Sequence, residues 1–158
     1  MEIKVGDMAP DFQAMASNGE EIKLSDFRGK YVVLYFYPRD MTPGCTKEAC
    51  SFRDHYEQFK ELDAVILGVS TDSLERHQKF VEKYSLPFLL IVDENHEICE
   101  KYAVWKLKKS FGREYMGIER STFIIDKEGK IVKVWRKVKV DGHVEEALQF
   151  VNQLAGNS

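Results

Sequence analysis

From Tyr31 to Tyr37 the chain runs through aromatic and β-branched residues without alternation, the pattern of a strand buried on both faces. Ala64 to Ser70, Leu89 to Val92 and Thr122 to Ile125 read the same way. Lys130 to Lys137 instead alternates Ile131, Val132, Val134 and Trp135 with basic residues after the turn Lys127-Glu128-Gly129, which predicts a strand closing a hairpin. Between these runs the apolar positions change period. Ala49, Phe52, Tyr56 and Phe59 recur at helical spacing, as do Leu74, His77, Phe80 and Tyr84, and then Val144, Leu148, Val151 and Leu154. The opening segment shows only polar turns around Ser17, Asn18 and Gly19.

Strand, helix, strand, helix, strand, a hairpin and a final helix predict an α/β fold with a central mixed β-sheet flanked by helices, behind an N-terminal extension. A thioredoxin-like arrangement fits that order. No repeat, low-complexity stretch or Pro/Gly/Ser-rich linker divides the chain, so residues 1–158 are expected to form one domain. In open α/β sheets ligands sit beyond the carboxyl ends of the strands. The segment after Tyr37 is therefore where chemistry is expected.

Composition narrows the class. Hydrophobic residues at 44% and charged residues at 31% are the balance of an ordinary globular protein, large enough to bury a core without disulfides. A net charge of -3 argues against a nucleic-acid or anionic-lipid footprint, and the basic stretch Lys106, Lys108, Lys109, Arg113 reads as a solvated loop. The start, Met-Glu-Ile-Lys-Val-Gly-Asp, has neither a basic leader nor an apolar run, which predicts no membrane anchor and a cytoplasmic address. There thiols stay reduced, so the three cysteines are expected to be core filler, metal ligands or reactive groups.

The segment after the first buried strand is Pro38-Arg39-Asp40-Met41-Thr42-Pro43-Gly44-Cys45-Thr46-Lys47-Glu48-Ala49-Cys50. Thr42 is a good N-cap, and Pro43 is favoured directly after it because a first-turn N–H is not needed. Cys45 then falls in the first turn, where unpaired N–H groups and the helix dipole favour thiolate over thiol. A small buried hydrophobe is the alternative for Cys45.

Pro38, Thr42 and Cys45, spaced Pro-x3-Thr-x2-Cys, resemble the peroxiredoxin active-site motif, and Gly44-Cys45-Thr46 with Glu48 and Cys50 resembles the bacterioferritin comigratory protein or peroxiredoxin Q branch. Gly6 to Phe12, Leu24 to Lys30 and Gly117 to Asp126 are similar to further family blocks, so the resemblance covers most of the chain. It implies that Cys45 is the peroxidatic cysteine, that Thr42 bonds the peroxide, that Pro38 shields the pocket and that Arg120 faces the thiolate. Arg120, just before the buried strand Thr122 to Ile125, could reach the site from a neighbouring strand, but an arginine there is by itself more often a surface residue, so its role rests on the resemblance. Glu48 shares roughly the face of Cys45 and could bond Arg120, the alternative being a solvated first-turn acid. Cys50 matches the resolving position of many members, the alternative being a core cysteine beside Ala49. Tyr37 and Trp105 are weighed as pocket lining against core packing, and Cys99 reads as packing.

The implied function is reduction of hydrogen peroxide and organic hydroperoxides through a Cys45 sulfenic acid and a Cys45–Cys50 disulfide, recycled by thioredoxin or another dithiol donor. No cofactor and no metal are expected, and with both cysteines in one helix a monomer suffices. Three rivals use the same residues. A zinc module of Cys45, Cys50 and His55 has spacings too wide for a knuckle and no second Cys pair. A thioredoxin-like disulfide oxidoreductase or redox relay would suit the fold but lacks Cys-x-x-Cys. A cysteine hydrolase would need a histidine base, and none carries a local signature.

Overall fold

The computed structural model describes residues 3–156; Met1 and Glu2, which begin the stretch read for a leader, and Asn157 and Ser158 lie outside it. The chain opens with β1 (Gln13–Met15) and β2 (Glu21–Lys23), an antiparallel pair around the turn at Ser17 to Gly19, followed by a 3-10 turn at Leu24–Phe27. Then come β3 (Tyr31–Phe36), α1 (Pro43–Asp54), α2 (Tyr56–Glu61), β4 (Ala64–Ser70), α3 (Leu74–Tyr84), β5 (Leu89–Val92) and α4 (Glu97–Lys101). A hairpin of β6 (Trp105–Ser110) and β7 (Arg113–Ile118) precedes β8 (Ser121–Ile125), β9 (Ile131–Arg136) and α5 (His143–Leu154).

The central sheet has the order β5-β4-β3-β8-β9, with β3, β4 and β5 parallel and β8 and β9 antiparallel to their neighbours. It is the mixed sheet expected, and β3 lies at its centre because its residues are apolar on both sides. Val32, Leu34 and Phe36 point into one core with Phe12, Ile98, Tyr102 and Phe123. Val33, Tyr35 and Tyr37 point into a second core with Cys45, Phe52, Phe59, Phe80 and Val144. Helices α1, α2, α3 and α5 cover the second core, while the N-terminal segment and the short α4 cover the first. The crossovers β3-α1-β4 and β4-α3-β5 run in one direction along the sheet, which puts their helices on one face.

Two elements depart from the sequence expectation. The periodic stretch through Phe59 is two helices, because His55 leaves helical geometry (ψ 6°) and its Nδ1 lies 2.8 Å from the Ser51 carbonyl. The basic stretch at Lys106 to Arg113 is the β6–β7 hairpin, closed by Phe111 and Gly112, both at positive φ (52° and 76°). That is the backbone of a two-residue type I′ turn. Its lysines alternate poorly with apolar residues and Leu107, Phe111, Tyr115 and Met116 are exposed, so hydrophobic patterning carries no strand signal there. Among the described residues no helix is long and apolar enough to cross a membrane.

Candidate active site

Strand β3 ends at Phe36, and residues 38–42 lead from it into α1. Pro38 stands half-buried at the head of this loop. Thr42 has the extended backbone of an N-cap (φ -77°, ψ 154°), and its carbonyl accepts from the Thr46 N–H at 2.8 Å. Its hydroxyl does not cap the helix. It donates instead to the Arg39 carbonyl at 2.9 Å, because the loop turns sharply at Met41 (φ 68°) and brings that acceptor closer than the helix N–H groups.

Cys45 lies in the first turn of α1 and is 2% exposed. Arg120 reaches it from across the sheet. Ser121 pairs with Phe36 in the antiparallel β3–β8 ladder, so Arg120 sits beside the loop that leaves β3. Its carbonyl is held by the Val138 N–H at 3.0 Å. The guanidinium then forks: Nη2 donates to Cys45 Sγ at 3.4 Å and Nη1 to Glu48 Oε1 at 2.6 Å. Gly44 gives the fork room, since a Cβ there would stand 3.3 Å from Nη2.

Glu48 is fully buried, so the solvated alternative is excluded. Its Oε2 has no hydrogen-bond partner among the described residues. Burial pushes its carboxyl up to about 7, with the Arg120 charge and hydrogen bond pulling the other way. Beneath it Tyr35 stacks on Phe52 at 4.5 Å and lies over Gly68, where a Cβ would come within 2.8 Å of the ring. Burial, then the charges of Glu48 and Cys45, holds the Tyr35 phenol well above its usual range.

Cys50 is half-buried, further along α1, and is free, as are Cys45 and Cys99. Cys99 is fully buried in the other core; burial, reinforced by Asp93, pushes its thiol far above the range of a reactive cysteine. Trp105 is partly buried against that other core and stacks on His96 at 4.3 Å. Tyr37 does share the core of Cys45, but its hydroxyl turns away to Asp40.

Sequence reading passed over the polar cluster under this loop. Asp40, Asp72 and His77 place ligand-type atoms within 4.8 Å of one another. A metal does not fit them. Asp72 Oδ1 accepts from Arg76 Nε, Asp72 Oδ2 from Ser70 and the Asp40 N–H, and both Asp40 oxygens are taken by Tyr37 and His77. In the sequence, Asp40 stands out only as a loop residue, and His77 only as one core-facing position of a helical repeat.

A cysteine in a helix's first turn, held by an arginine that a buried glutamate orients, on a thioredoxin-like sheet, defines a thiol-chemistry site. Comparison with known proteins agrees. The AhpC/TSA family model matches residues 5–134, and the chain belongs to that family. Within it, the chain groups with the Bcp, or peroxiredoxin Q, peroxiredoxins: it is 63% identical to peroxiredoxin Bcp of Bacillus subtilis over 98% of this chain and 99% of that one. Peroxiredoxin Bcp of Escherichia coli K12 is 42% identical over 97% and 98%. A crystal structure of a Xylella fastidiosa PrxQ mutant superposes with a TM-score of 0.93 at 37% identity, covering 98% of this chain and 99% of that one. The bacterioferritin comigratory protein of Xanthomonas campestris, described by its alkyl peroxide reduction activity, gives 0.87 at 39% identity over 91% and 92%.

Proposed function

We propose that this peroxiredoxin reduces hydrogen peroxide and organic hydroperoxides by a two-cysteine cycle within one chain. The Cys45 thiolate attacks the terminal peroxide oxygen, the O–O bond breaks, and water or an alcohol leaves as Cys45 becomes a sulfenic acid. Cys50 then displaces that hydroxyl as water and closes the Cys45–Cys50 disulfide. Thioredoxin or another dithiol donor returns both thiols. The observation that carries this reading is the Arg120 fork on Cys45 and Glu48. A fixed cation there stabilises the thiolate and the charge that develops on the departing oxygen, whereas it would oppose a zinc ion on the same sulfur.

Thr42 has its proton committed to Arg39, so its oxygen offers lone pairs to the hydroperoxide O–H. Pro38 shields the pocket from water. Sulfur carries both electrons, so the cycle calls for no cofactor. The same reading takes residues 1–158 as one domain and the protein as a cytoplasmic monomer, since both cysteines lie on one helix.

The test is peroxide consumption with thioredoxin and its reductase. Cys45→Ser should abolish it, because a hydroxyl is a far weaker nucleophile at neutral pH. Retention of a substantial fraction of the rate would overturn the mechanism. An insulin-reduction assay run beside it separates a peroxidase from a general disulfide oxidoreductase.

A further inference from the structure

Asp40 is 1% exposed and lies two residues before Thr42. Both its carboxylate oxygens are engaged: Oδ1 accepts from the Tyr37 hydroxyl at 2.5 Å, and Oδ2 faces His77 Nδ1 at 2.6 Å. Its main chain is held as well. The Asp40 N–H donates to Asp72 Oδ2 at 2.7 Å, and Arg76 Nη2 donates to the Asp40 carbonyl at 3.3 Å. Asp72 is oriented in turn by Ser70 at 2.7 Å and by Arg76 Nε at 3.0 Å. His77, fully buried on α3, has its other ring nitrogen 2.8 Å from the Ile91 carbonyl.

This network therefore ties one loop residue to the carboxyl ends of β3, β4 and β5 and to α3 at four separate points. The residue after it, Met41, is in the left-handed region, a conformation that residues other than glycine seldom keep without outside support. Beyond Met41 come Thr42 and the first turn of α1. The strands themselves do not need the network, since their ladders pair from Tyr31 to Phe36 and from Leu67 to Ser70 without it.

We propose that Asp40, held by Tyr37 and His77, is a positioning residue for peroxide reduction. It fixes the base of the loop so that Thr42 and Cys45 stand in the peroxide-binding arrangement, and it is the stationary end about which the first turn of α1 later opens. The inference rests on the peroxidase reading above. It predicts opposite effects on the two chemical steps. A loosened loop misplaces Thr42 and Cys45 and slows attack on peroxide, but it does not hinder, and can speed, the opening that lets Cys50 reach the sulfenic acid.

The hydrogen-bond roles also say which variants separate positioning from charge. Both nitrogens of His77 face oxygen acceptors, so the Asp40–His77 pair as it stands must hold the proton that bridges them. In Asp40→Asn the amide oxygen can still accept from Tyr37 while its NH2 donates to a neutral His77, whose Nε2–H stays on Ile91. Every bond survives without the charge. In Asp40→Ala both side-chain bonds are lost.

Rapid-mixing of the full-length reduced protein with hydrogen peroxide, quenched and resolved by mass spectrometry, reads sulfenic acid formation and disulfide closure separately. Asp40→Ala should slow the first step by roughly tenfold to a hundredfold, the scale of an ångström-sized misplacement, and leave the second step unslowed. Asp40→Asn should recover most of the lost rate. Tyr37→Phe, which removes one bond and keeps the ring, should fall between and serves if Asp40→Ala does not fold. The proposal is overturned if the variant that folds is oxidised at the wild-type rate, if Asp40→Asn is as slow as Asp40→Ala, or if both steps slow together. Wild-type protein that forms no sulfenic acid on Cys45 would overturn the peroxidase reading and the inference with it.

Discussion

If Cys50 resolves the Cys45 sulfenic acid, α1 cannot remain whole. The helix runs unbroken from Pro43 to Asp54 in the state with free thiols. Five residues of α-helix advance roughly 7.5 Å and rotate roughly 140°, which places the two Cα atoms about 8 to 9 Å apart. A disulfide tolerates at most about 7 Å. Cys45 must therefore leave the core, and Thr46 to Ala49 must leave helical geometry. Opening gives up the Thr46–Thr42 backbone bond and its successors, the Arg120 contacts, and the burial of Cys45 and Ala49. Roughly four backbone bonds at a net 1 kcal/mol each, with about 2 kcal/mol of burial, are offset by about 1 kcal/mol of backbone freedom per residue released. Before the Arg120 contacts are counted, that leaves about 2 kcal/mol holding the turn closed, equivalent to at least roughly thirtyfold in amide exchange. Hydrogen exchange over residues 43–52 should speed up by about that factor in the disulfide form, with α5 unchanged. Equal protection in a verified Cys45–Cys50 disulfide would refute the geometric argument.

Arg120→Ala should leave the fold intact and slow both peroxide oxidation and alkylation of Cys45 by roughly 100-fold, the scale of losing one preorganised donor; unchanged rates would remove Arg120 from the site. Cys50→Ser, with Cys99 also replaced, should consume one equivalent of peroxide and then stall under thioredoxin with a sulfenic acid that dimedone traps, and full turnover would show that Cys50 is not the resolver. Glu48 titrates near 7 in the folded chain against an ordinary value of 4.5, so the stability it contributes is fully present below about pH 4.5 and is lost as pH rises through about 7. Thermal unfolding of Glu48→Gln should accordingly fall less than that of the wild type between pH 5 and pH 8, by on the order of 2 to 3 kcal/mol, and parallel curves would contradict that.

Much of this architecture was legible because burial imposes simple patterns. The runs at Tyr31, Ala64, Leu89 and Thr122 are apolar on both sides, and each is a strand of the central sheet. The helix start at Pro43 was legible from local chemistry, and the pairing of Cys45 with Arg120 from family resemblance together with a position just before a buried strand. Other features depend on contacts between distant parts of the chain. Thr42 was expected to cap α1 with its hydroxyl, yet the acceptor at Arg39 wins because Met41 adopts a left-handed turn that no residue type announces. The Asp40–His77 contact spans 37 positions, and a histidine on an apolar helix face looks the same whether it packs or binds. The β6–β7 hairpin carries no burial pattern, since it stands apart from the central sheet.

The arrangement around Arg120 links the chemistry to the movement it requires. With Cys45 as thiolate, the guanidinium holds two acceptors on the same helix, Sγ and Glu48 Oε1, and so pins the first turn of α1 against β8. In the proposed cycle the attack converts the anionic sulfur into a neutral sulfenic acid, so the guanidinium loses its attraction to a full negative charge on that sulfur. The bond that weakens is therefore the one nearest the helix start. The Glu48 bond, one turn further on, holds Arg120 until the turn opens. Because the early N–H groups of α1 have no intrahelical acceptors to lose, a loss of this size falls on the part of the helix least able to resist it. In that cycle oxidation would loosen the Arg120 contact at the moment when Cys45 has to move toward Cys50, while Asp40, outside the helix and in the positioning role proposed above, would keep the point to which the turn returns after reduction.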